Sequence, residues 1–193
     1  ERYAWIKARV ITGGKAGAEL MEMARPFVFR RYVDYSAFAA MREMKAMIER
    51  EVMRRNIEDD IKLGAGGIRE IEFIVQVFQL IYGGSKRELQ DRQCLVNLHH
   101  LGEAELLDQQ AVIDLEDAYL FLRRVEHAIQ ALNDQQTQSL PNEPELRQRM
   151  IETLGFADWQ AFLDVLNQKR DKVKVQFKQL IQEQEFFAPI DDF

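Results

Sequence analysis

At 193 residues with 47% hydrophobic side chains, the chain is long enough for one large domain or two small ones and can bury a sizeable core. Four prolines and 10 glycines are few punctuators for an all-β or loop-rich fold, while 30% charged residues suit long amphipathic helices with solvated faces. The net charge of −6 is uneven, with 12 Lys and Arg against 7 Asp and Glu in residues 1–55 and 14 against 25 in residues 56–193, so the front end either meets phosphate or an acidic neighbour or presents solvated helix faces.

In chain order, Tyr3, Ile6 and Val10 recur at helical spacing, and Gly13 and Gly14 end that helix. The chain opens without a starting Met and already inside a helical pattern, which reads as a segment of a longer protein. A second short helix through Leu20 to Ala24 is expected to stop before Pro26, because the residue before a proline is pushed out of the α region. Ser36 is a good N-cap for the next helix, whose stripe is Phe38, Met41, Met44, Ile48 and Val52. Six of the seven methionines lie before residue 56. That stripe is either core or an adaptable docking face.

The stretch from Lys62 to Arg69 opens a helix over about 67–82, with Ile71, Ile74, Val75 and Phe78 on its apolar face and Gly83 and Gly84 closing it. A short helix follows around Cys94–Leu101. The longest helix is predicted over 107–132, where Val112, Leu115, Tyr119, Leu122, Val125, Ile129 and Leu132 repeat at threes and fours. Residues 133–144, with Pro141 and Pro144, read as a loop. A helix near 145–154 ends at Gly155. The last long helix starts near Asp158, with Trp159, Phe162, Leu166, Val173, Phe177 and Leu180 buried and Arg170 interrupting the stripe. No period-two alternation and no internal repeat are evident. These elements predict an all-α fold, a bundle of long antiparallel helices in a single domain over 1–193, with residues 186–193 as a tail or linker.

Few constellations carry chemistry. Cys94 is the single cysteine, so no internal disulfide forms, which fits a reducing, cytoplasmic setting. Its neighbours His99 and His100 lie five and six residues on and do not point toward it together. No Glu-x-x-His or His-Glu-x-x-His occurs, which removes di-iron bundles and zincins, and no metal site is expected in the chain. No apolar run approaches ~18 residues, so nothing is expected to span a membrane; nucleic acid is not expected as a partner either. The segment Gly64-Ala65-Gly66-Gly67 precedes a helix between Lys62 and Arg69. It is neither a P-loop nor a dinucleotide fingerprint. It is either a tight turn where two backbones approach closely, or a phosphate site built from Lys62, the amides of Gly66 and Gly67, and Arg69. Just inside that helix, Arg69, Glu70, Glu72 and Gln76 are candidates for the wall of a cleft. The structural alternative is a polar network in which Glu72 meets Arg123 or Arg124, with Glu126 beside them.

Four blocks together resemble one family. Residues 62–76 (KLGAGGIREIEFIVQ) look like the signature of the glutamine synthetase adenylyltransferase family, and residues 25–32 (RPFVFRRY), 121–127 (FLRRVEH) and 133–141 (NDQQTQSLP) are similar to its other blocks. The resemblance implies an enzyme that attaches AMP to a tyrosine of glutamine synthetase and removes it by phosphorolysis. Each activity would belong to a nucleotidyltransferase domain followed by a helical domain, with Mg²⁺ or Mn²⁺, ATP, ADP and phosphate as participants and PII-type signal proteins and glutamine as regulators. The form Ile68-Arg69-Glu70-Ile71-Glu72 resembles the N-terminal, deadenylylating half. The family's Gly-Ser turn followed by an Asp-x-Asp pair is absent from this sequence: Asp59-Asp60 and Asp191-Asp192 are adjacent pairs. The chain is therefore expected to be the helical partner of a catalytic domain, inactive alone, with residues 1–60 packing on that domain. The alternative is a non-catalytic module that docks glutamine synthetase or a signal protein.

Overall fold

The computed structural model describes residues 2–30, 59–133 and 137–182. Among them are seven α-helices: α1 Arg2–Trp5, α2 Gly14–Val28, α3 Ile68–Tyr82, α4 Cys94–Glu103, α5 Gln109–Asn133, α6 Pro144–Leu154 and α7 Trp159–Gln182, with a 3₁₀ turn at Arg87–Gln90. No strand is found among the described residues, so the all-α expectation holds there. None of these helices is long and apolar enough to cross a membrane. The Phe38–Val52 stripe, its Ser36 cap and the 186–193 tail lie outside the described residues. The chain divides into two compact units, unit 1 of Glu1–Met47 with Glu72–Val112 and unit 2 of Ile48–Ile71 with Ile113–Phe193.

Unit 1 departs from the expected front end in two places. The first helix stops at Trp5, not near Gly13, because Val10 and Ile11 are exposed and no core rewards continuing the turn. Gly13, at φ 105°, instead caps the start of α2. That helix also runs through Pro26 to Val28. Proline forfeits its own N–H bond, but the helix regains a bond at Phe29 N–H to the Arg25 carbonyl (2.8 Å). The Arg2 guanidinium then donates to the Val28 carbonyl from Nε (3.2 Å) and Nη2 (3.0 Å). A tertiary cap thus outweighs the local preference of the residue before proline.

Along α3 the side chains of Phe73, Ile74, Val75, Val77, Phe78, Leu80 and Ile81 are all buried, as expected of a helix with apolar residues all round. Gln79 sits fully buried among them. Its Nε2 donates to the carbonyls of Leu89 (2.6 Å) and Asp91 (2.7 Å) and faces Asn97 Oδ1 at 3.3 Å. Asn97 Nδ2 in turn donates to the carbonyls of Asp91 and Gln93. Two amide side chains therefore satisfy the backbone of the 87–93 connection. Cys94, first residue of α4, is buried. Burial pushes its thiol up to about 12, with Lys7 opposing the shift and Glu72 adding to it.

In unit 2, α5 and α7 run antiparallel. Asp114 meets Lys172 (2.6 Å), Asp117 meets Lys169, and Phe121 meets Phe162 with ring centroids 6.4 Å apart, so the residue number falls on one helix as it rises on the other. Leu115, Ala118, Leu122, Val125 and Ile129 from α5 are buried, as are Phe162, Leu166, Val173 and Phe177 from α7. Phe156 and Trp159 extend the aromatic cluster, and Arg147 stacks on Trp159 at 4.8 Å. Gly155 takes φ 81° to end α6, and Asp158 caps α7 through Ala161 N–H (2.8 Å). The expected loop over 133–144 holds one unforeseen feature. Ser139 bridges Asp60 in antiparallel fashion, through Ile61 N–H to the Gln138 carbonyl (2.8 Å) and Leu140 N–H to the Asp59 carbonyl (3.2 Å). A single bridge has no period-two pattern to announce it.

Two outcomes follow from this packing. Leu122→Ala, at a site with no solvent exposure, is expected to lower stability by about 2–5 kcal/mol in denaturant melts. A change under about 0.5 kcal/mol would mean that the α5–α7 core is not as described. At pH 8 the native Cys94 thiol should carry on the order of a thousandfold less thiolate than an unperturbed one, given a value of about 12 against 9.0. Ellman's reagent should therefore label it slowly until denaturant is added, and equal rates in both states would contradict the burial.

Candidate functional site

The glycine segment is a turn closed on itself, wholly within unit 2. Asp60 starts it: its Oδ1 accepts the N–H groups of Lys62 (2.8 Å) and Leu63 (2.7 Å), and its carbonyl accepts that of Gly64 (3.0 Å). Gly67 N–H donates to the Gly64 carbonyl (2.9 Å), Ile68 N–H to Ile61 (3.2 Å) and Arg69 N–H to Lys62 (3.0 Å). Gly66 N–H is capped by Glu70 Oε2 at 2.9 Å, a carboxylate one turn into α3 reaching back to a free amide at the helix start.

Glycine is required here for two separate reasons. Gly66 has φ 72°, and a Cβ there would stand 2.4 Å from the carbonyl oxygen of Arg170 on α7. A Cβ at Gly67 would stand 2.7 Å from the Gly64 oxygen and 2.8 Å from those of Ile61 and Lys62. The close approach of two backbones, one of the two readings of this motif, is therefore present in the geometry. The phosphate reading meets an obstacle: the N–H groups of Gly66 and Gly67 are already used inside the turn, and both glycines are buried. What remains of that reading is the pair of cations, Lys62, which is one-third exposed, and Arg69, which is exposed.

Arg170 fixes the turn to α7. It is buried, and its Nη2 donates to the Asp60 carbonyl at 2.7 Å. Burial lowers its pKa, against the opposing fields of Asp59, Asp60 and Glu70. The sequence marks this residue only as a break in an apolar stripe. Its partner is a backbone carbonyl 110 residues away, which no side-chain pattern encodes.

Glu126 is the most buried carboxylate of the site, at 2% exposure. Arg123 Nη1 holds its Oε2 and Lys62 Nζ lies 3.6 Å from its Oε1. Two cations compensate one desolvated carboxylate, the condition under which a buried charge is tolerated. Of the expected network, Arg123 and Glu126 meet, Lys62 joins them, and Arg124 does not: it is exposed. Helix geometry explains this, since residues three apart share a face whereas 124 and 126 diverge by about 200°. The cleft candidates fall in different surroundings. Arg69 is exposed and Glu70 caps the turn. Glu72, in unit 1, is close enough to Cys94 to affect its ionisation. Gln76, also in unit 1, is buried with no hydrogen-bond partner at Oε1.

Among the described residues, no group of three or more His, Cys, Asp or Glu side chains is placed to hold a metal ion. The turn's carboxylates do not fit one either. Asp60 accepts two backbone N–H groups, Glu70 accepts one, and Glu126 is neutralised by two cations. The site can brace and position, and it offers an exposed guanidinium, but no step through Mg²⁺ or Mn²⁺ is built from these residues.

A family model described as GlnD PII-uridylyltransferase matches residues 42–181. Proteins named bifunctional glutamine synthetase adenylyltransferase/adenylyl-removing enzyme are similar along the chain. That of Acinetobacter baylyi is 79% identical over 95% of this chain and 20% of its own length. That of Chromobacterium violaceum is 53% identical over 100% and 21%, and that of Pseudomonas putida 52% identical over 94% and 19%. The chain thus spans about a fifth of the length of the curated relatives it matches. With the model matching well over half of its residues, the chain belongs to the family described as GlnD PII-uridylyltransferase, and the resemblance to glutamine synthetase adenylyltransferase/adenylyl-removing enzymes carried by its glycine motif holds along its length.

Proposed function

We propose that this chain is the helical domain of a bifunctional glutamine synthetase adenylyltransferase/adenylyl-removing enzyme, and that it completes the deadenylylating half beside a nucleotidyltransferase domain. The identity with relatives bearing that name supports the first part, and the Ile68-Arg69-Glu70-Ile71-Glu72 form of the motif supports the second. On this reading the neighbouring domain supplies the carboxylates for Mg²⁺ or Mn²⁺, ATP and ADP bind there, and the partners are glutamine synthetase and a PII-type signal protein in the cytoplasm.

The observation that carries the reading is the contrast at the glycine turn. Its backbone is closed and pinned to α7, yet Arg69 stands exposed on the first turn of α3. A guanidinium on a rigid mount is suited to orient an incoming phosphate, and positioning without a metal site is what a helical partner domain contributes. The second reading, a docking module, is favoured by α2, where Leu20, Met23 and Phe27 recur at steps of three and four and remain exposed. On that reading Met23→Glu weakens partner binding and leaves turnover intact.

Two measurements test the proposal. The 193-residue chain, incubated with adenylylated glutamine synthetase, phosphate and Mg²⁺ or Mn²⁺, is expected to release no ADP, and joining it to the nucleotidyltransferase domain in one chain should create the activity. In the full enzyme, Arg69→Ala should raise the phosphate concentration needed for half-maximal deadenylylation by about tenfold, about 1.4 kcal/mol of lost interaction, with the maximal rate less affected. Unchanged phosphate dependence in a normally folded variant returns Arg69 to the solvated surface. Turnover by the chain alone, abolished by a substitution within it, sinks the whole reading.

A further inference from the structure

Unit 1 gathers cations that the glycine turn does not use. A groove of about 420 Å³ is bordered by Arg9 from the turn after α1, Arg25 from α2 and Arg92 from the loop before α4. An adjoining hollow lies between Lys7, Arg9 and Arg92. Three separate stretches of chain thus bring positive charge to one place. Local acidic groups do not answer all of it. Arg25 is held by Glu22 at 2.9 Å and Lys7 Nζ donates to the Arg92 carbonyl at 2.6 Å, while Asp91, whose Oδ1 accepts the N–H of Gln93 at 2.7 Å, lines both hollows as one carboxylate against the three cations Lys7, Arg9 and Arg92. The guanidinium groups of Arg9 and Arg92 have neither an ion pair nor a hydrogen bond among the described residues. Like charges held at one hollow repel, an arrangement that an anionic ligand would relieve.

Apart from Gln90 and Asp91, the rest of the groove is lined by apolar side chains. Ile6 and Val28 are buried beneath it, and Trp5 stands in its wall at 38% exposure. A hollow of this size, with an apolar floor, one aromatic face and a few convergent charged groups, has the make-up of a small-molecule site. Guanidinium forks match phosphate oxygens in pairs, and an exposed indole face offers stacking to a planar ring.

We propose that this groove binds a phosphate-bearing small molecule, with the phosphate on Arg9 and Arg92 and any attached ring against Trp5. Two sources share that chemistry, a nucleotide and free inorganic phosphate. The groove uses no residue of the glycine turn, so this site and the role proposed for Arg69 stand or fall separately.

The chain contains two tryptophans, so a Trp159→Phe background leaves Trp5 as the sole indole reporter. ADP and inorganic phosphate are titrated separately at low salt, followed by Trp5 emission and by calorimetry. Saturable binding is expected, weakened about tenfold or more by Arg9→Gln with Arg92→Gln and weakened again by added salt. ADP binding more tightly, with a change in Trp5 emission, assigns the site to a nucleotide. Equal affinities and silent emission assign it to phosphate alone. The inference is overturned if neither probe gives a saturable signal up to about 10 mM, or if the double variant, with an unchanged circular dichroism spectrum, binds as well as the parent.

Discussion

The contact on which unit 2 depends is the one between the Gly66 backbone and the Arg170 backbone. No side chain separates them, and a single Cβ at residue 66 would come within 2.4 Å of a carbonyl oxygen. That closeness brings the Arg170 guanidinium to the Asp60 carbonyl. Asp60 in turn carries both the Asx cap of the turn and the bridge to Ser139. The entry to α3, the 137–141 segment and α7 are therefore joined by one small knot of backbone bonds. Glycine at 66 is a geometric requirement twice over, from its left-handed φ and from the absence of space.

Charge is handled differently in the two units. In unit 2 the buried groups come with their partners: Glu126 with Lys62 and Arg123, Arg170 with a carbonyl and a field of three carboxylates. Removing one member of such a set leaves an uncompensated buried charge, so the set behaves as a brace. In unit 1 the buried polar groups among the described residues are neutral amides, Gln76, Gln79 and Asn97, of which the last two satisfy a connection's backbone, while Arg9, Arg25 and Arg92 stay at the surface. This division puts rigidity in the glycine turn and unpaired positive charge at the groove. Three cations of the basic front end, Lys7, Arg9 and Arg25, lie there, joined by Arg92 from far along the chain.

The legible part of this fold was whatever depends on period and punctuation. The helices at 109–133, 144–154 and 159–182 lie close to their predicted bounds because long apolar stripes, Gly155 and Asp158 mark them locally. The α1 and α2 bounds were not legible. Val10 looks like a stripe position yet is exposed, and Pro26 looks like a stop yet is carried by a cap from Arg2, distant in sequence. Only the tertiary structure decides such cases. The glycine motif was legible as a turn with two readings; that its amides donate to the Glu70 carboxylate and the Gly64 carbonyl was not. Arg170 was visible as an anomaly without an explanation, since a charged residue in an apolar stripe implies a partner but not its address.

The anion site pictured on the turn relied on free amides, which are strong determinants because they are fixed and desolvated. With those amides engaged, any hold on phosphate at the turn falls to Lys62 and Arg69, and Lys62 is shared with Glu126. A half-committed lysine and one exposed arginine make a weaker and more salt-sensitive grip than a closed amide cradle. Such a grip suits a group that steers or orients a substrate already held elsewhere, and it does not suit the primary binding site of a nucleotide. On the function proposed above, a helical partner domain built this way acts on orientation, and the reacting atoms and their metal ions belong to its neighbour.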